Sequence, residues 1–179
     1  MARTDVREGR LVVSVPEHRY FRLEDSSTYK AIKGQKLTEV DFAWMIDSDE
    51  ALWLMELKDF GGRRRPTIAE KREELRNDLP KNIAHALLLV STVWADTRLG
   101  RNLKSDIEET FPDFPKEATP IHGIAVIHAD QYDSATIGAL TTSVRSSLSA
   151  FGLETVAVLP ASSDRVEDEL GIEIRYAPE

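Results

Sequence analysis

The chain contains no cysteine. This excludes a disulfide framework, a thiolate metal site and a cysteine nucleophile, and by elimination it favours a reducing, cytoplasmic setting. No apolar run approaches the roughly 20 residues that a membrane helix needs, and the opening MARTDVREGR carries positive charge without the apolar stretch of a secretory signal, so no membrane partner is expected. GxGxxG and the phosphate-cradling GKS or GKT loop are both missing, which removes the usual fingerprints of a nucleotide cofactor. Serines do cluster in VRSSLSA (144–150), but in a helical context without a strand-to-helix elbow, so serine hydrolysis is not expected. No internal repeat or low-complexity tract is present.

What remains is the composition of an ordinary globule. With 179 residues, 41% hydrophobic and 30% charged, the chain can bury one sizeable core, and a single domain over 1–179 is expected. The net charge of -8 argues against a protein that holds nucleic acid by diffuse attraction. Its distribution is uneven, however. Residues 58–104 carry 11 lysines and arginines against 6 acids, whereas residues 105–179 carry 4 against 14. A polyanion can therefore be met locally, and the acidic C-terminal part suits a protein partner.

Hydrophobic periodicity predicts an α/β chain. Residues 10–15 and 19–23 read as short strands, with a polar connection and no helix before Asp41. Residues 37–46 and 51–58 read as an antiparallel hairpin. Thr67 and Glu70 have the spacing of a capping box for a helix that runs toward Leu79, and Pro80 is expected to kink or interrupt it. The apolar run 82–96 then predicts a second, buried helix closing near Gly100. Beyond it, residues 121–128 and 155–159 read as parallel strands joined by a helix with the stripe Ile137, Leu140, Val144, Leu148 and Phe151, stopped by Gly152. A short helix around 163–170 and a last strand, IEIRY, complete the pattern.

The chemistry is concentrated in the hairpin. LWLMELKDF (52–60) is apolar on both strand faces up to Met55, so Glu56 and Lys58 arrive where water is scarce. Pleating puts Glu39, Asp41 and Ala43 on one face of the first strand, and Leu54, Glu56 and Lys58 on one face of the second. Two carboxylates about 2.1 Å from a small divalent ion, completed by a backbone carbonyl and waters, make a workable magnesium site. Phosphodiester hydrolysis needs an activated water and positive charge near the oxygens that become more negative, and an amine beside the carboxylates supplies the latter. The alternative is an internal salt bridge, but one lysine paired with one carboxylate leaves the second acid unexplained.

Asp41, followed by Glu56-Leu57-Lys58 at the end of an apolar strand with a buried helix behind it, resembles the PD-(D/E)XK nuclease superfamily over residues 37–98. Val40 stands where the pattern has proline. The resemblance implies a restriction-endonuclease-like mixed β-sheet flanked by helices and an endonuclease that uses magnesium, with manganese as a substitute. Asp41 and Glu56 would be the metal carboxylates, the Leu57 carbonyl a further ligand and Lys58 the catalytic lysine. An upstream glutamate, Glu24 or by position Glu17, would add a ligand. The implied substrate is nucleic acid, DNA first; a noncatalytic nucleic-acid- or protein-binding subunit with the same fold is the other reading. A homodimer would suit cutting of two strands.

Other residues receive structural roles. Arg63, Arg64 and Arg65, on a glycine-hinged loop, are the candidate phosphate contacts, whereas Lys71, Arg72 and Arg76 alternate with acids as ordinary helix pairs do. His85 reads as a core histidine and Trp44, Trp53 and Trp94 as packing residues. Glu39 reads as a solvated neighbour of Asp41. His128 and Asp130, at a strand end, form a candidate second site; His18 and His122 fit no metal spacing. Tyr20, Phe21 and Tyr29 are candidate exposed aromatics beside the basic KAIKGQK.

Overall fold

The computed structural model describes residues 3–17, 19–35, 37–45, 51–62, 66–108, 111, 115–116, 119–129, 133–162, 168, 170 and 172–177. A central mixed sheet of five strands has helices on one face and a second, three-stranded sheet on the other.

The chain begins with an antiparallel pair, β1 (Arg3–Glu8) and β2 (Leu11–Pro16), in the register Val6↔Val13 and Glu8↔Leu11. The last strand, β8 (Glu173–Tyr176), pairs antiparallel with β2, so IEIRY does not extend the main layer. In the five-stranded sheet the order is β3 (Tyr20–Phe21), β4 (Phe42–Met45), β5 (Leu52–Asp59), β6 (Ile121–His128) and β7 (Thr155–Pro160). The first three are antiparallel; β5, β6 and β7 are parallel. The expected parallel crossover is present, and the expected hairpin pairs Phe42–Met45 with Leu52–Met55, whereas residues 37–41 precede the strand.

Period-2 alternation sorts the side chains of β5. Leu52 and Leu54 enter the core shared with the helices, and Trp53, Met55 and Leu57 enter the core between the sheets. A strand buried on both faces explains the unbroken apolar run. Trp44 and Trp53 stack at 5.8 Å in the inter-sheet core, as packing residues do.

Among the described residues, four helices cover the other face: α1 (Ser27–Ile32), α2 (Arg72–Trp94), α3 (Arg98–Glu108) and α4 (Ser134–Leu148). The Thr67–Glu70 capping box forms, the Thr67 N–H donating to Glu70 at 2.7 Å and the Glu70 N–H to Thr67 at 3.3 Å, in the turn just before α2. Pro80 does not break α2, which runs through it for 23 residues. An interior proline costs about 3 kcal/mol, but Leu75, Leu79, Ile83, Leu87 and Val90 are buried around it, and each such side chain contributes about 1.5–3 kcal/mol. Packing outweighs the lost hydrogen bond.

Gly100 likewise does not end a helix. It lies in the first turn of α3, whose start is capped by Thr97, and a Cβ there would lie 1.8 Å from the Thr92 carbonyl oxygen. Glycine is needed for the close approach of α3 to α2. The unexpected α1 is capped by Ser26, and Asp106 of α3 accepts from the Ser26 hydroxyl at 2.6 Å and the Thr28 N–H at 2.9 Å. Tyr29 is fully buried and Phe21 packs on Phe111 at 5.7 Å, so neither is an exposed stacking residue. The expected helix around 163–170 lies largely outside the described residues. Among the described residues no helix is long and apolar enough to cross a membrane.

β7 is an outer strand, and α4 seals it. Thr141 accepts from the Val158 N–H at 3.1 Å and donates to the Val158 carbonyl at 3.3 Å, while Arg145 donates to the Val156 carbonyl at 3.1 Å. An outer strand with open backbone groups invites pairing with another chain. The double variant Thr141→Val/Arg145→Ala is therefore expected to self-associate, with dimers or larger species appearing by light scattering where the parent protein shows fewer.

Candidate functional site

β4 and β5 carry Phe42 opposite Met55 and Ala43 opposite Leu54. The same register, continued one residue, brings Asp41 opposite Glu56 at the carboxyl end of β5. The pairing continues through a side chain: the Leu57 N–H donates to Asp41 Oδ2 at 2.5 Å. In a strand the N–H and C=O of one residue project to the same side, so the Leu57 carbonyl is directed to Asp41's side of β5.

Glu56 is only 2% exposed. Its Oε1 receives two donors, Lys58 Nζ at 2.5 Å and Asn82 Nδ2 of α2 at 2.8 Å. Its Oε2 is buried with no hydrogen-bond partner among the described residues. Glu56 and Lys58 are thus in contact, and the Asp41 carboxylate is bonded to the backbone of Leu57 between them.

An acid that the sequence does not single out adds its charge to this field. Glu8 ends β1 on the same strand face as Val6, which packs toward the main sheet, and its charge acts on Asp41, Glu56 and Lys58 alike. The turn that follows is fixed to the end of β5: the Arg10 N–H donates to Asp59 at 3.2 Å, and a Cβ on Gly9 would lie 3.0 Å from the same carboxylate.

The charges of Glu56, Asp41 and Glu8 all act on Lys58, and the proton affinities follow. Burial, then the Glu56 charge, push Asp41 up to about 7, although the Leu57 N–H and Lys58 oppose the shift. Burial also raises Glu56 against the pull of Lys58 and Asn82. Burial alone would lower Lys58; the carboxylates of Glu56, Asp41 and Glu8 outweigh it and hold the amine above the ordinary lysine value. Metal-free Lys58 is a cation, not a proton acceptor.

Other expected residues have their own partners. Glu24 is ion-paired with Arg22, whose Nε–H donates to the Asp41 carbonyl at 3.3 Å, and the Glu24 charge registers on Glu39. Glu17 follows β2 at the end of the hairpin away from Glu8, about six residues or 20 Å along the strand. Glu39 is not simply solvated, since Tyr29 donates to it and Lys33 pairs with it at 3.1 Å. Arg63, Arg64 and Arg65 lie outside the described residues, as do His18 and Asp130. Much of the basic segment is internally compensated, with Lys71 paired to Glu74, Arg76 to Glu73, Arg101 to Asp96 and Lys104 to Glu108.

The histidines have local partners. His85 Nδ1 accepts from the Thr38 N–H at 3.0 Å, and His122 stacks on Trp53 at 4.1 Å. His128 meets Asp59 at 3.3 Å and stacks on Tyr176 at 4.0 Å, while Arg10 lies over the same tyrosine ring at 4.3 Å. Asp59 thereby ties together the ends of β5 and β6 and the turn after β1. Gly61 makes this packing possible, because a Cβ there would fall 2.3 Å from the His128 ring.

Among the described residues no group of three or more His, Cys, Asp or Glu is arranged to hold a metal ion. A cation here would rest on two carboxylates, with the Leu57 carbonyl and water to supplement them. The chain matches no protein-family model, no curated protein and no solved structure.

Proposed function

We propose that the chain is a magnesium-dependent phosphodiesterase of the PD-(D/E)XK kind that cleaves nucleic acid, DNA first. The observation that carries this reading is the orphaned Glu56 Oε2: a buried carboxylate oxygen without a donor, on the residue that the continued register sets opposite Asp41. A buried carboxylate oxygen left without a donor is costly and is ordinarily hydrogen-bonded, protonated or bound to metal. A small hard cation suits two carboxylates and a carbonyl.

Asp41 and Glu56 would hold the ion, with the Leu57 carbonyl as a further oxygen donor. The ion supplies a water of lowered pKa and charge at the phosphoryl oxygens. Lys58, fixed on Glu56 Oε1 and about one-third exposed, presents its cation at the rim, where it would stabilise negative charge developing on the phosphate and orient the attacking water. Burial of the carboxylates strengthens these interactions by excluding solvent.

The closed Lys58–Glu56 ion pair favours one other reading, a noncatalytic binding subunit in which the amine is the carboxylate's permanent partner. Labelled single- and double-stranded DNA and RNA, incubated with magnesium or manganese, separate the two. Cleavage that stops with chelator and in Glu56→Ala/Lys58→Ala is expected. Equal activity in parent and variant would overturn the nuclease reading.

A further inference from the structure

We propose that Asn82 is a positioning residue that assigns separate duties to the two oxygens of Glu56, holding Oε1 for the protein so that Oε2 is presented to a divalent cation. The proposal rests on the metal-site reading above. Lys58 and Asn82 converge on one oxygen, at 2.5 and 2.8 Å, and the other receives no donor among the described residues. Two donors on one oxygen fix the carboxylate's rotation, because turning it would break both bonds.

Asn82 is well placed to act as a fixed reference. It lies in the middle of α2, between Leu79 and Ile83, both fully buried. Three residues on, His85 lies near it on the helix surface and receives the N–H of Thr38, in the segment that leads to Asp41. One helix thus holds Glu56 through Asn82 and the approach to Asp41 through His85. The spacing of the two carboxylates is set by α2 as well as by the register of β4 and β5.

The neutrality of asparagine matters too. A lysine or arginine at this position would neutralise the carboxylate pair and remove its demand for a cation. Asparagine orients Glu56 and leaves its negative charge in place. Outer hydrogen-bond partners of metal ligands typically tune affinity by about 10- to 100-fold.

Manganese binding at pH 8, measured by calorimetry alongside metal-free thermal melts, tests the assignment without relying on activity. Asn82→Leu is expected to bind manganese at least about tenfold more weakly. Asn82→Ser stays polar but falls one bond short, and it should be weakened similarly. Asn82→His, whose Nδ1–H is as many bonds from the backbone as Asn82 Nδ2, should restore most of the affinity. A purely structural role predicts a lower melting temperature with unchanged affinity in the folded protein. Unchanged affinity in both Asn82→Leu and Asn82→Ser, or in Asn82→Ser alone where the leucine variant does not fold, would overturn the proposal while leaving the metal site intact. Absence of binding by the parent protein would overturn the metal reading and the proposal with it.

Discussion

Asp41→Asn is expected to make the metal-free protein more stable at pH 8 while abolishing its response to manganese. The Asp41 carboxyl titrates near 7 rather than at its ordinary 3.8, because burial and Glu56 penalise its ionised form. Between these values the folded protein retains a proton that the unfolded chain has released, so stability falls as pH rises from about 4 through 7. At about 1.4 kcal/mol per unit the full cost above pH 7 is on the order of 4 kcal/mol. Asparagine has no such cost, and its amide oxygen can still accept the Leu57 N–H. The variant should therefore melt several degrees above the parent at pH 8, with the difference vanishing toward pH 4. Saturating manganese should reverse the order, since a ligand at about 100 times its dissociation constant stabilises the parent by about 2.7 kcal/mol and does nothing for a protein that does not bind it. Melts at pH 4, 6 and 8, with and without manganese, check each element; a variant no more stable than the parent at pH 8 would refute the charge-strain account.

The carboxylate pair was legible because two independent patterns agree on it. Alternation along 37–46 and 51–58 sorts which side chains share a face, and the short connection predicts neighbouring strands, so the register that sets Asp41 opposite Glu56 needs no long-range information. Glu8 and Asn82 offered no such signal. In RTDVRE the single apolar residue, Val6, is too little to reveal a strand, and the pairing of β2 with β8 spans nearly the whole chain. Asn82 is an ordinary polar residue in a helix until the fold places Glu56 within 2.8 Å of it. Pro80 and Gly100 misled for a different reason. Both are local signals for ending a helix, but buried leucines around Pro80 and close contact at Gly100 give them tertiary roles instead. The three-stranded sheet, α1 and the separate α3 all depend on contacts between segments distant in sequence, such as Asp106 with Ser26.

Lys58→Met is expected to separate cation binding from catalysis. In the parent, Lys58 is a competing positive charge 2.5 Å from Glu56, and its removal leaves Asp41, Glu56 and Glu8 with no amine among them. Manganese at pH 8 should then bind at least as tightly as in the parent. Cleavage should nevertheless fall by about 10²–10³-fold, the usual loss when one charge-stabilising group is taken from a site of this kind. Breaking a buried ion pair costs about 3–5 kcal/mol, so the metal-free variant should be less stable at pH 8 and recover as falling pH protonates the carboxylates. Lys58→Gln, which keeps a hydrogen-bond donor and loses only the charge, should fold more readily and show the same division between tight binding and slow cleavage. Both variants are compared by calorimetry and single-turnover cleavage at saturating manganese. If affinity and rate fell together, Lys58 would be acting through the geometry of the metal site; if cleavage were unchanged, the amine would have no part in the chemistry and would serve only as the counter-charge of Glu56.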